Sequence, residues 1–127
     1  MEPGIVTQDQ KTAGTWVPVV AESRFPESAA CSARIGGWHI LVVRGDDGFH
    51  ALNDRCPHQA ARLSTGRIRR GAIMCPLHGA RFDIATGHCI GGAYKAMRIF
   101  PVRVHQGIIE ILLPDTPPGM EDLPVTP

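Results

Sequence analysis

Two short cysteine–histidine pairs place the strongest condition on this chain: Cys56-Pro57-His58, then Cys75-Pro76-Leu77-His78 after sixteen intervening residues, 59–74. Two thiolates and two imidazoles make a donor set for a soft or borderline metal centre. Each pair supplies one cysteine and one histidine, and the segment between them lets the two loops face each other across a single centre. Any fold for this chain therefore has to bring both loops to one place. A structural zinc ion can use the same four residues, although zinc sites more often pair C-x-x-C with H-x-x-x-H. The plainest alternative is an accidental spacing of packed cysteines and histidines with no metal. Pro57 and Pro76 each fix φ and withdraw a donor, which suits a tight loop.

The rest of the chain reads as short strands divided by turn residues. Trp16–Val20 is the first, followed by Ala30–Ile35 and Trp38–Val43 on either side of Gly36-Gly37, a two-residue hairpin signal. Gly45-Asp46-Asp47-Gly48 turns the chain into Phe49–Asn53, and Gln106-Gly107 separates Arg98–His105 from Ile108–Leu113. No amphipathic helical pattern stands out, so the expected class is all-β, an antiparallel sandwich or barrel that carries the metal loops on an insertion. Residues 1–14 are polar and aperiodic and are expected to be loose. Residues 114–127 hold five prolines and three acids (Asp115, Glu121, Asp122), a tail expected to form neither helix nor central strand and to lie disordered or extended.

At 127 residues the chain is read as one domain, 1–127, too short for a second enzyme domain. No apolar run approaches the roughly 20 residues that span a bilayer, and Met1-Glu2-Pro3-Gly4 lacks the regions of a signal peptide. The expectation is a cytoplasmic protein with no membrane contact, in which cysteines are metal ligands before they are disulfides. Cys31 falls in a strand and is expected to be a small buried hydrophobe. Cys89 is expected to be an ordinary thiol.

The residues around both pairs resemble the Rieske iron–sulfur family. Asp54-Arg55-Cys56-Pro57-His58, Met74-Cys75-Pro76-Leu77-His78-Gly79-Ala80-Arg81-Phe82-Asp83 and Thr86-Gly87 match its two ligand loops and the strand that follows them. Arg98-Ile99-Phe100-Pro101-Val102-Arg103-Val104 resembles its return strand, and the likeness runs from about residue 15 to 113. The resemblance implies a β base with a small inserted cluster-binding subdomain, here residues 54–94. It also implies one [2Fe–2S] cluster, with Cys56 and Cys75 on one iron and His58 and His78 on the other, at an exposed tip. Neutral imidazoles leave such a core two units less negative than four thiolates would, which raises its potential. Gly79 is expected to let backbone approach the cluster.

Departures from the family carry information. Ala61 and Leu77 stand where respiratory members have cysteines, so no disulfide joins the loops. Ala80 and Phe82 replace a serine and a tyrosine whose hydroxyls donate to cluster sulfur. Missing donors lower the potential, which is expected near the bottom of the family range, about −150 mV rather than about +300 mV. Gln59 replaces an arginine common in oxygenase domains, and the covering loop reads Gly91-Gly92-Ala93-Tyr94 without its usual proline.

Charge is uneven. Residues 54–103 carry nine basic side chains (Arg55, Arg62, Arg67, Arg69, Arg70, Arg81, Lys95, Arg98, Arg103) against Asp54 and Asp83, on a chain of formal net charge +1. Clustering beside the redox tip suggests steering toward an acidic partner. Nucleic acid is not expected, because Arg67, Arg69 and Arg70 lack interleaved aromatics. The implied function is a monomeric Rieske ferredoxin, an electron carrier and not itself an enzyme. It would carry single electrons from a flavin-containing ferredoxin reductase to a terminal oxygenase acting on aromatic or similar compounds. The alternative is a small Rieske subunit of a larger, nitrite-reductase-like redox enzyme. A terminal oxygenase would need a further iron site, and His39, His50, His88 and His105 are spaced as isolated residues.

Overall fold

Ile40, Leu41, Val42 and Val43 put apolar side chains on both sides of one strand, an arrangement that is stable only where both faces are covered. In the computed structural model, which describes residues 14–27, 29–57, 62–63, 66–76, 79–91 and 94–124, that strand lies in the middle of three layers. The strands are β1 (Gly14–Ala21), β2 (Ala30–Ile35), β3 (Trp38–Gly45), β4 (Gly48–Asn53), β5 (Arg67–Arg69), β6 (Ala72–Met74), β7 (Arg81–Asp83), β8 (Ile99–Phe100), β9 (Val102–His105) and β10 (Ile108–Pro114). They form a base sheet ordered β1-β10-β9, a central sheet β2-β3-β4-β8 and a small lobe sheet β5-β6-β7. Every pairing is antiparallel, as the all-β reading expected.

Alternation along β3 divides the interior in two. Trp38, Ile40 and Val42 turn toward the base sheet and pack with Phe25, Ala51, Phe100, Ile109 and Ile111. Leu41 and Val43 turn the other way, toward Leu52, Leu63, Ile73, Phe82, Ile84 and Met97. The Gly36-Gly37 hairpin sets this register, with φ of 58° and 86° between the paired Ile35 and Trp38. Both angles lie in the left-handed region that glycine adopts without steric cost. The base sheet joins distant parts of the chain, since Gly14 pairs with Pro114. Pro18 lies on its edge strand, where a missing donor is tolerated and the register shifts.

Three expectations need correction. Arg98–His105 is not one strand, because Pro101 lacks the N–H that would continue it. β8 pairs with β4 in the central sheet, and β9 with β10 in the base sheet, so this proline marks a change of sheet. The inserted segment holds three strands, where the sequence showed only one after the second loop. The tail does form a helical element, one 3-10 turn at Met120–Asp122, closed by the Gly119 N–H donating to Asp122 Oδ2 at 3.0 Å. Its prolines lie outside that single turn, so they do not oppose it. The tail runs back over the central sheet: Trp38 Nε1 donates to the Thr116 carbonyl at 3.3 Å and Asn53 Nδ2 to that of Asp122 at 2.9 Å. Residues 1–13 of the expected loose terminus lie outside the described residues, and Gly14 already belongs to β1. Among the described residues no helix is long and apolar enough to cross a membrane.

Candidate functional site

The first cysteine loop leaves the central sheet at the end of β4. The Asp54 N–H donates to the His39 carbonyl at 2.8 Å, which keeps the exit against β3. The Asp54 carboxylate is buried, and its Oδ1 accepts the Leu63 N–H at 2.6 Å. One side chain thus ties together the two ends of the loop that contains Cys56. Arg55, just before that cysteine, donates from Nε to the Leu123 carbonyl of the tail at 3.1 Å.

The second loop joins β6 to β7. The Cys75 N–H donates to the Ala80 carbonyl at 2.7 Å, and the Gly79 N–H to the Cys75 carbonyl at 3.0 Å. The chain reverses there through Gly79 at φ 77°, so this glycine serves the turn itself. Gly66 locks the first loop against the second. A Cβ at this position would overlap the Met74 carbonyl oxygen and come within 3.1 Å of that of Leu63. Its own N–H donates to the Leu63 carbonyl at 2.8 Å.

The two loops deliver both cysteines to one place. Cys56 and Cys75 are 0% and 1% exposed and belong to the same core as Leu63, Ile73, Phe82 and Met97. A third segment closes over them: the Met97 N–H donates to the Gly87 carbonyl and the Asn53 N–H to that of Arg98, both at 2.9 Å. Thiols at such depth, on separate loops fixed by backbone hydrogen bonds, suit thiolate ligation far better than reactivity toward solvent.

His58 and His78, the other two candidate ligands, lie outside the described residues, as do Gln59, Ala61, Leu77, Gly92 and Ala93. Among the described residues no three of His, Cys, Asp and Glu gather as a metal site. The remaining histidines stay apart, as their spacing implied. His50 pairs with Asp47 at 2.9 Å, while His88 and His105 are exposed. His39 accepts at Nδ1 from Arg62 Nη2 at 3.2 Å. Burial, together with the Arg62 and Arg34 charges, lowers its pKa against a weaker opposing pull from Asp54. Cys31 is only half-buried, against the base core, and Cys89 packs beside the lobe core while bridging to Phe82.

Sequence reasoning assigned no role to Asp54, Gly66 or the His39–Arg62 contact. Asp54 offered one signal, an acid next to a tight loop, where a carboxylate can accept backbone donors. Gly66 offered none, because its constraint comes from a strand eight residues further on.

Comparison with known proteins places these loops in a family context. The Rieske [2Fe-2S] domain matches residues 15–102. The anthranilate 1,2-dioxygenase ferredoxin subunit of Burkholderia cepacia is 34% identical over 104 residues, 80% of this chain and 95% of that protein. The ferredoxin of carbazole 1,9a-dioxygenase from Nocardioides aromaticivorans superposes with a TM-score of 0.71 at 28% identity, covering 77% of this chain and 97% of its own. A chain in the complex of reduced oxygenase and oxidized ferredoxin in carbazole 1,9a-dioxygenase gives a TM-score of 0.69 at 30% identity, over 76% of this chain and 92% of that one.

Proposed function

This chain belongs to the Rieske [2Fe–2S] family, and from that premise we propose that it is the ferredoxin of a multicomponent ring-hydroxylating oxygenase, carrying single electrons in the cytoplasm from a flavin-containing reductase to a terminal oxygenase. The observation that carries the proposal is the burial of Cys56 and Cys75, from separate loops, in one core. That arrangement fits the family's cluster. Cys56 and Cys75 would hold one iron and His58 and His78 the other, and the bound cluster accepts or gives up one electron at a time. Asp54, Gly66 and Gly79 fix the described parts of the loops, and loops held in this way would keep reorganisation on electron transfer small. Pro76 is exposed on the second loop itself, where a partner can approach. The ferredoxin relatives, 28–34% identical and matched over nearly their whole length, support the carrier reading.

The test is direct. Purified protein is expected to be red-brown, with two irons and two acid-labile sulfides per chain and a rhombic EPR signal on reduction. His58→Ala or His78→Ala is expected to abolish that signal. Zinc in place of iron, after growth with ample iron, overturns the proposal. The potential is expected near the low end of the range, about −150 mV, because Ala80 and Phe82 offer no hydroxyl to the core that both cysteines share. Ala80→Ser and Phe82→Tyr are each expected to raise it, and a midpoint well above zero in the unmodified protein counts against the oxygenase-ferredoxin role.

A further inference from the structure

The outer face of the lobe sheet carries arginines that no ion pair among the described residues engages. Alternation turns Ile68, Ile73 and Phe82 into the core, leaving Arg67, Arg69, Ala72, Met74, Arg81 and Asp83 on the other side. With Arg70 and Ile90 these residues, Asp83 excepted, border an open groove of about 390 Å³. Arg67 and Arg81 are both paired with Met74 in the register, one on each side, and Arg69 is opposite Ala72. The groove therefore starts beside Cys75. Arg70 sits at its far end, in the β5–β6 turn with φ 51°, near Asp46 and Asp47.

No ion pair among the described residues involves any of these four arginines. The acid on the same sheet, Asp83, uses Oδ1 to accept the N–H groups of Ala85 at 2.8 Å and Thr86 at 3.3 Å. Elsewhere the chain does pair its arginines, Arg98 with Asp122 and Arg103 with Glu110. On the strands Arg67, Arg69 and Arg81 outnumber the single acid of that face, Asp83, so an opposing negative surface gains from meeting them. The floor is apolar where Met74 and Ile90 reach it, and Ile90 is 42% exposed. A cationic rim over an apolar floor suits an acidic protein segment better than a small anion, because a segment can meet the arginines and also cover Met74 and Ile90. Arg67 and Arg69 are two residues apart on one strand, about 7 Å, which matches acids at alternate positions of an extended segment.

We propose that the outer face of β5–β7 is a docking surface for an acidic, extended segment of a redox partner, lying beside the loop that bears Cys75. Only the description of the partner as a redox protein rests on the electron-carrier reading. Docking here orients the partner next to the loop that bears Cys75, and the charges act mainly on encounter rate.

The probe is a fluorescently labelled deca-glutamate peptide, added to the cluster-loaded protein at low salt and followed by anisotropy. Binding is expected, with affinity falling roughly tenfold or more as salt is raised beyond physiological strength. Arg69→Glu with Arg81→Glu is expected to weaken it by a further tenfold or so, and Arg69→Lys with Arg81→Lys to keep most of it. The same charge reversal is expected to slow cluster reduction by a flavoprotein reductase at low salt, while the visible spectrum stays unchanged. Equal peptide binding by the reversed and unmodified proteins overturns the surface. A protein that contains no iron overturns the carrier reading instead, and the peptide titration still judges the surface on its own.

Discussion

The two faces of β3 look into interiors of different kinds. Toward the base sheet the packing is aromatic: Phe25 meets Phe49 edge-on at 5.0 Å between centroids, and Trp38 meets Phe100 at 5.5 Å. Arginines cap this region from outside, with Arg44 over Phe25 at 5.3 Å and Arg98 over Trp38 at 5.0 Å. Toward the lobe the interior holds Cys56, Cys75 and Met97 with a single buried aromatic, Phe82. Its sheet is made of three-residue strands, and beside it lies the buried carboxylate of Asp54. The base closes by apolar contact between two full sheets. The lobe holds its loops by specific hydrogen bonds and buries two thiols among its apolar side chains, so its stability is tied to whatever its cysteines bind.

Removing the iron is the strongest way to break that contrast. Chelation is expected to raise amide exchange in β5–β7 by roughly a hundredfold or more while the base strands keep their protection. A uniform rise across both regions would show that the two interiors form one unit. Ile40→Ala and Leu41→Ala sharpen the comparison, since these neighbours face opposite ways. Each is expected to cost about 3–4 kcal/mol in denaturant unfolding, but only Leu41→Ala is expected to shift the cluster's visible spectrum. Asp54→Ala comes next, at about 2 kcal/mol, because it strands the buried Leu63 N–H. Faster loss of iron should accompany it, and an unchanged iron half-life would mean that the loop holds without its carboxylate.

The smallest effect is the pH dependence set by His39. Its folded-state pKa lies below the ordinary value near 6.5, first through burial and then through Arg62 and Arg34. The unfolded chain therefore binds the extra proton more readily. Stability is complete above about pH 6.5 and is lost as the pH falls from there through the lower folded-state value. His39→Gln is expected to flatten that slope in thermal melts, and identical slopes would remove His39 from the account.

The base was legible in the sequence and the lobe was only partly so, for a physical reason. β1–β4 and β10 are runs long enough to read as strands, and Gly36-Gly37 and Gln106-Gly107 name their own turns. Three-residue strands show no period, and the β5–β6 turn is Arg70-Gly71, which lacks the usual asparagine or aspartate. Pro101 was visible, but the change of sheet there depends on two partners far apart in sequence. The gathering of Cys56 and Cys75 followed from their spacing. The supports around them did not, because Asp54, Gly66 and the tail act through backbone atoms that no local pattern reports.

The pairing of Gly14 with Pro114 has a consequence in time. Strands β2, β3 and β4 meet through tight turns and can zip together as soon as they exist, whereas β1 has to wait for a partner a hundred residues downstream. Closing so long a loop is entropically slow, and chains dominated by such pairings fold late. During synthesis from the N-terminus, the cysteine loops emerge and can organise on the central sheet while the base is still open. Until β10 arrives, Ile40 and Val42 face water, which makes that interval the one in which the growing chain is most exposed to aggregation.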